Sequence, residues 1–180
     1  MPSSADSVVA VRKALRRFRR NRRGSAAVEF ALVAPIFFAL LFAIIETALV
    51  FFAGQVLETG LQDTGRLIYT SQSPALAADF KQNLCDRVAT LFSCANICVD
   101  VRSYNAGSAF TITDPIDSSG NFSGTCVYQP PTDPTQTVVV RAFYQWPLVV
   151  TGLGYNIANI GRGTGNSKRL LAATSAFRSQ

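Results

Sequence analysis

The carboxylate of Glu29 occupies a position where a charge needs an explanation. Glu29 follows Ser25 by four residues, and residues 30–45 after it are uncharged and apolar. A carboxylate near the centre of a lone lipid-facing helix costs about 2.5 to 3.5 kcal/mol on insertion scales, and such residues usually mark function. From the residues alone, the simplest interpretation is an interfacial charge that reaches lipid headgroups.

The cysteines are the second set of residues whose chemistry matters, and all of them follow the apolar stretch. They are Cys85, Cys94, Cys98 and Cys126. An even number of cysteines in an exported domain predicts disulfides, here two, with three pairings possible. We favour one bridge between the first two, which ties a helix end to the following loop. The other then joins the last two and pins a long loop to a strand.

Metal and catalytic sites have little support in this sequence. The cysteine spacings lack the paired two-residue gaps of zinc ribbons, so a zinc site is the less favoured alternative. The chain contains no histidine, which removes the usual general base and any serine-histidine triad.

Residues 161–165 are rich in glycine but lack the strand and the Lys-Ser/Thr helix start of a phosphate loop, so a hairpin is expected. Asp114, Asp117 and Asp133 are interpreted as turn residues rather than calcium ligands. We predict no catalytic residue, no metal, no cofactor and no enzyme activity.

Basic charge is concentrated at the start of the chain. Residues 1–24 contain eight Arg or Lys side chains against the single acid Asp6, and the remainder has nine basic and ten acidic residues. A nucleic-acid-binding domain would spread its basic residues over a folded face. We therefore expect no nucleic-acid partner. The length of 180 residues predicts one domain of ordinary size plus an extra element.

An N-terminal helix must position Glu29. The sixteen residues 30–45 would reach roughly 24 Å as a helix, short of the roughly 30 Å hydrocarbon core, so a full span includes one or both of Glu29 and Glu46. We predict a membrane helix over about residues 27–53. The positive-inside rule then places the arginine cluster in the cytoplasm and everything after the span on the far side.

Beyond the span, the same helix is predicted to continue. Leu57, Leu61, Thr64 and Ile68 fall at helical spacing, so the helix should reach about residue 70 and end at the Ser-Gln-Ser-Pro sequence before residue 75. Pro35 should bend this helix or open its hydrogen-bond ladder locally. A secretory signal peptide is a poorer fit, because the apolar stretch exceeds 7 to 15 residues and lacks a small-x-small ending. An uncleaved signal anchor remains an alternative.

The remainder, residues 74–180, is predicted to be an extracytoplasmic domain. An amphipathic helix is expected over 75–92 and a half-buried strand over 97–102, which residues 110–112 would join through the turn at 105–107. Residues 114–135 should form a long surface loop. Alternation predicts strands over 137–146 and 169–178. The expected fold class is α+β, with one long helix packed on a small, disulfide-bonded antiparallel sheet.

The sequence around Gly24 resembles the processing site of type IV prepilins, in which a glycine stands between a basic leader and an apolar helix. That resemblance implies a cytoplasmic leader, residues 1–24, which a prepilin peptidase cleaves off between Gly24 and Ser25. It places Glu29 at the fifth position of the mature chain, with Phe30 beside it. The long pilin-like helix would then occupy residues 25–73.

A narrower resemblance extends over about residues 24–70. The string at 27–32, Ala-Val-Glu-Phe-Ala-Leu, followed by Pro35, Glu46 and Thr64-Gly65-Arg66, is similar to the TadE-like family, minor pilins or pseudopilins of the tight-adherence (Tad or Flp) pilus system. Family members often have Ala-Ala-Arg at the last of these motifs. Residues 138–147 and 171–178 resemble the segments after the helix in that family.

The family resemblance implies a role, a location and a set of partners. The role is assembly of a Tad-type (type IVc) pilus for surface adherence and biofilm formation. The location is the bacterial inner membrane in a single pass, with the N-terminus cytoplasmic and the C-terminal domain periplasmic, and also the extracellular pilus. The partners are prepilin peptidase, the major Flp pilin, other minor pilins, the inner-membrane assembly platform and membrane lipid.

Cleavage would give Glu29 a partner. The new Ser25 amine, with an unperturbed pKa of about 7.7 to 8.0, would be cationic. In a packed bundle Glu29 can pair with this amine of a neighbouring subunit, which would make Glu29 an assembly determinant. The alternative function is a single-pass anchored binding protein with no fibre role. Such an anchor would keep its basic leader, so cleavage after Gly24 separates the two.

Overall fold

The computed structural model describes residues 12–13, 16, 24–69, 77–109, 111–153 and 155–178. Most of the predicted leader therefore lies outside the described residues. The chain divides into two compact units, residues 1–42 and residues 43–180. The first contains the start of the long helix, and the second contains the rest of that helix together with the sheet domain.

The long helix α1 spans Ser25–Tyr69, close to the predicted range. It passes through Pro35 without interruption. In the second unit, one face of α1 is fully buried at Ala53, Leu57, Leu61 and Ile68, which recur at spacings of four and seven residues. A second helix, α2, spans Ala77–Val88 and buries Phe80, Leu84 and Val88. It ends at Val88, four residues before the predicted end at residue 92.

Within the described ranges, the strands form one antiparallel sheet in the order β1-β2-β3. The strands are β1, Cys98–Tyr104, β2, Thr137–Pro147, and β3, Lys168–Arg178. Val101 lies opposite Val140, and Ala142 lies opposite Ala173, so the predicted inward residues share one face. The α+β fold class is confirmed, with a long apolar helix, a small antiparallel sheet and two disulfides.

The predicted strand over residues 110–112 is wrong for the residues that the structure describes there. Thr111 and Ile112 have no regular structure. The free edge of β1 is instead occupied by residues 127–129, because the Val101 N–H donates to the Val127 carbonyl at 2.7 Å and the Gln129 N–H donates to the Val101 carbonyl at 2.8 Å. An edge that is already paired has no backbone groups left for a hairpin partner.

One hydrophobic core fills the space between the sheet and the helices. It contains the buried faces of α1 and α2, and from the sheet Val99, Val101, Val138, Val140, Ala142, Tyr144, Leu171 and Ala173. Burying a side chain of the size of Leu57 or Phe80 stabilises the fold by about 1.5 to 3 kcal/mol. This core therefore fixes how the second half of α1 packs on the sheet.

The opposite face of the sheet is also covered. Strand β1 was predicted to be half-buried, but Cys98 and Asp100 on its second face are buried as well. The loop after β1 returns over this face, where the ring of Phe122 lies 5.6 Å from that of Phe143. Asp114, Asp117 and Asp133 in this loop accept backbone N–H groups two residues on, which confirms them as turn residues.

Candidate functional site

The predicted processing site lies at the start of α1. Ser25 is the first helical residue, and Gly24 before it is exposed. A β-carbon added at Gly24 would meet no atom within 4 Å. The glycine is therefore not required by packing within the described structure.

Glu29 and Phe30 are brought onto the same turn of α1. Glu29 is exposed and lies four residues after Ser25, a spacing at which helical side chains are neighbours. Phe30 has 68% of its surface exposed. An amine at residue 25 would lie near the positive end of the helix dipole, so a carboxylate one turn away lowers the electrostatic cost of that charge.

Large apolar side chains cover α1 after Glu29 and have little contact with the rest of the protein. Those more than half exposed between Phe30 and Ile44 are Phe30, Leu32, Val33, Ile36, Phe37, Leu40, Phe42 and Ile44. Within the described residues, one helix, Ala26–Ile68, is long and apolar enough to cross a membrane. A surface of this kind is unfavourable in water. The apolar helix near the N-terminus suggests a single-pass membrane anchor.

Glu46 is the carboxylate whose environment the sequence did not predict. It is buried, with 8% exposure, and its carboxylate accepts backbone N–H groups from Val149 and Val150. The Val150 donor lies 3.2 Å from Oε1 and 3.3 Å from Oε2. Next to it, the Thr47 hydroxyl lies 2.9 Å from that of Tyr155. These bonds attach α1 to the loop between β2 and β3. The sequence feature that could have indicated this buried site is an acidic residue inside an apolar helical stretch.

The cysteines form two disulfides outside the apolar stretch. Cys85 is bonded to Cys94 and Cys98 to Cys126, with Cα atoms 5.6 Å and 5.3 Å apart. This is the pairing that the sequence analysis favoured. The first bridge joins the end of α2 to the loop before β1. The second fastens the loop over the back of the sheet.

A buried ion-pair cluster lies on the back face of the sheet, and sequence reasoning missed it. Asp100 is 1% exposed, and one of its carboxylate oxygens accepts from Arg141 Nη2 at 2.6 Å and from Nε at 3.1 Å. Arg102 Nε donates to the other oxygen at 3.0 Å. This hydrogen bond raises the pKa of Arg102. Cross-strand register places Asp100 opposite Arg141, which pairing of the two strands would have revealed.

The cluster has a structural role. Arg141 also donates to the Thr113 carbonyl at 3.2 Å, and Arg102 donates to the Thr125 hydroxyl at 2.6 Å. Both bonds hold the covering loop. With two arginines on one carboxylate, both oxygens of Asp100 are used as hydrogen-bond acceptors within the fold. Among the residues that the structure describes, no three Cys, Asp or Glu side chains lie close enough to hold a metal ion.

Comparison with known proteins gives a match to the segment that contains the predicted processing site. Residues 24–66 match the model of the family described as TadE-like protein. No curated protein and no solved structure matches the chain. The matched segment begins at Gly24 and includes Ser25, Glu29 and Glu46. The family implies association with a Tad pilus and pilin partners in general, and it is a structural rather than an enzymatic family. Over residues 24–66 this chain is therefore similar to the TadE-like proteins, as its sequence predicted.

Proposed function

We propose that this protein is a minor pilin or pseudopilin required for assembly of a Tad-type pilus used in surface adherence and biofilm formation. The observation that carries the proposal is the TadE-like match over residues 24–66, which begins at Gly24. The exposed apolar surface of α1 supports it, because such a surface needs lipid or neighbouring helices around it.

The proposed maturation step is hydrolysis of the peptide bond between Gly24 and Ser25 by a prepilin peptidase. Cleavage removes residues 1–24 and with them eight of the 17 Arg and Lys side chains. Before cleavage, this basic segment would hold the N-terminus in the cytoplasm. Afterwards, α1 would start with a free amine at the edge of an apolar surface, and the subunit can leave the bilayer without that cluster.

Glu29 is the proposed assembly determinant. Its carboxylate would pair with the Ser25 amine of an adjacent subunit in the helix bundle, so that each subunit neutralises a charge of the next. A pair of this kind inside an apolar bundle is costly when one partner is missing, by about 3 to 5 kcal/mol. Because of that penalty, a subunit would be incorporated only where its Glu29 lies beside the Ser25 amine of its neighbour. The exposed Phe30 would pack against the same neighbour.

The proposed partners follow from this cycle. They are the prepilin peptidase, the major Flp pilin and other minor pilins, the inner-membrane assembly platform and membrane lipid. The disulfide-bonded domain would lie in the periplasm, where disulfides persist, and it would be carried outward with the fibre.

The test compares Glu29→Ala with the matched variant Glu58→Ala, each expressed as the only copy of the protein. Glu58 lies further along α1 and outside the matched processing motif. We expect both variants to lose the leader and to insert normally. Glu29→Ala should then lose co-purification with the major pilin and surface fibres, whereas Glu58→Ala keeps both.

Normal fibre assembly with Glu29→Ala would contradict the pairing. Retention of residues 1–24 in wild-type protein from cells with an active peptidase would contradict the pilin proposal as a whole. It would favour an anchored binding protein.

A further inference from the structure

The bonds between Glu46 and the loop after β2 define a membrane-proximal surface on the second unit. This surface consists of Glu46, Thr47, Leu49, Phe52, Val149 and Tyr155. Val149 is 87% exposed, more than any other large apolar side chain described, and it adjoins a residue whose N–H is held by Glu46. Leu49, Phe52 and Tyr155 are 49%, 58% and 41% exposed.

The sheet lies along α1, so the two ends of the sheet lie beside different residues of α1. The end at Pro147 leads into Val149 and Val150 and so to Glu46. At the other end of β3, the ring of Phe177 lies 3.2 Å from the β-carbon position of Gly65, five helical turns further along α1. The tip at Val149 therefore lies level with Glu46, and the turn after β1 lies far from it.

The length of α1 limits where the hydrocarbon core of a bilayer can end along it. The twenty residues 26–45 span about 30 Å, the thickness of a hydrocarbon core. Val50 and Ala53 are buried in the protein core and have no lipid to face. The six helical steps from Glu46 to Phe52 rise about 9 Å, comparable to the headgroup layer of roughly 5 to 8 Å on each side of the core.

The side chains at the Pro147 end of the sheet are of types that suit the headgroup layer. Trp146, Tyr155 and two cations, Lys168 and Arg169, lie on or beside the strand ends, where Trp146 pairs with Arg169. Residues 137–180 contain no Asp or Glu. Aromatic rings with a polar edge and basic side chains are enriched at membrane interfaces. The buried Glu46 carboxylate receives N–H donors from the protein, which offsets the cost of removing it from water.

We infer that the membrane-proximal surface lies in the headgroup layer of the phospholipid bilayer, with Val149 inserted and the hydrocarbon span of α1 ending near residue 45. The inference rests on the membrane anchor in the proposed function. It places the outer boundary about two helical turns before the predicted end of the span at residue 53.

The test uses full-length protein with one added cysteine, labelled with an environment-sensitive fluorophore, in vesicles of phosphatidylethanolamine and phosphatidylglycerol. Val149→Cys is the test position. Ala106→Cys, exposed in the turn after β1, is the distal control, and Leu40→Cys is the control inside the apolar segment. Nitroxide-labelled lipids carry the quencher at the headgroup or deep in the acyl chain.

We expect headgroup nitroxide to quench the label at residue 149 several-fold more than at residue 106, and deep nitroxide to quench the label at residue 40 most. Equal quenching at residues 149 and 106, with residue 40 still quenched, would overturn the inference and leave the anchor intact. Absence of quenching at residue 40 would overturn both. Tyr155→Cys repeats the measurement if Val149→Cys fails to form both disulfides.

Discussion

The backbone N–H of Val150 donates to the carboxylate of Glu46 at 3.2 Å, although the two residues are 104 positions apart in the chain. Val150 begins a short 3₁₀ helix, Val150–Leu153. The Glu46 carboxylate of α1 therefore caps the start of this 3₁₀ helix, which belongs to a different part of the sequence. One side chain of α1 thus fixes both the conformation and the position of the loop between β2 and β3.

Replacing Glu46 with Ala should lower the free energy of unfolding by about 1 to 3 kcal/mol, because the Val149 and Val150 N–H groups lose their buried acceptor. The matched control is Glu58→Ala on the same helix, whose weak 3.5 Å contact with Gln62 is exposed. That change should fall within about 0.5 kcal/mol. Urea unfolding in detergent, followed by the single tryptophan, measures both. Equal stability of the two variants would show that the Glu46 bonds contribute nothing.

Replacing Gly24 with Leu should leave residues 1–24 attached in nearly all molecules. A β-carbon at this position meets no atom of the described structure within 4 Å, so loss of cleavage would report on recognition by the peptidase. Intact-mass measurement of membrane fractions gives the result, with wild-type protein from a peptidase-deficient strain as the size standard for uncleaved chain. Efficient removal of the leader from Gly24→Leu would refute the assigned cleavage site.

Asp100→Asn should lower the free energy of unfolding by about 3 to 5 kcal/mol, since Arg141 stays charged and buried without its partner. The exposed pair of Asp63 and Arg87, 3.9 Å apart, is the control, and Asp63→Asn should cost at most about 1 kcal/mol. The double change Asp100→Leu with Arg141→Met should cost less than Asp100→Asn, because the buried Arg141 charge is removed and the other partner of Asp100, Arg102, has a side chain that is 35% exposed to water. Chemical denaturation of all three variants tests the ranking.

Two glycines of α1 should respond to Ala with opposite signs. At Gly60 a β-carbon would lie 2.6 Å from Val88 Cγ1, so the loss from overpacking, about 1 to 3 kcal/mol, exceeds the gain in helix propensity. At Gly54 a β-carbon meets no atom within 4 Å, and Gly54→Ala should stabilise by up to about 1 kcal/mol. Denaturation midpoints compare them directly. A stabilising Gly60→Ala would mean that α1 and α2 are less closely packed than described.

The elements were predictable because each one has a periodic apolar face. The spacing of Leu57, Leu61 and Ile68 gave the continuation of α1, and alternation at Val138, Val140 and Ala142 gave β2. The predicted pairing of the cysteines is also the observed one. Cys85 and Cys94 are only nine residues apart in the chain, so their bridge is a local one.

Non-local pairing was not predictable from a single sequence. The predicted strand over residues 110–112 failed because the edge of β1 is taken by residues 127–129, which no local pattern indicates. The partners of Glu46 and Asp100 lie 104 and 41 residues away, respectively. The sequence marked Glu46 as unusual, because it is an acid in an apolar segment, but for Asp100 it predicted only the second face of a half-buried strand. It did not identify the donor that satisfies either one.

The burial of α1 against β2 and β3 determines the order in which this protein is able to mature. Leu57 and Leu61 emerge from the ribosome long before Ala142 and Ala173, with which they share a core. The inner face of the second half of α1 is therefore still uncovered when it leaves the ribosome, and it stays open until β3 has been made. Contacts this far apart in sequence close slowly. A molecule that shields this uncovered apolar face would thus have to act on the chain before strand β3 arrives.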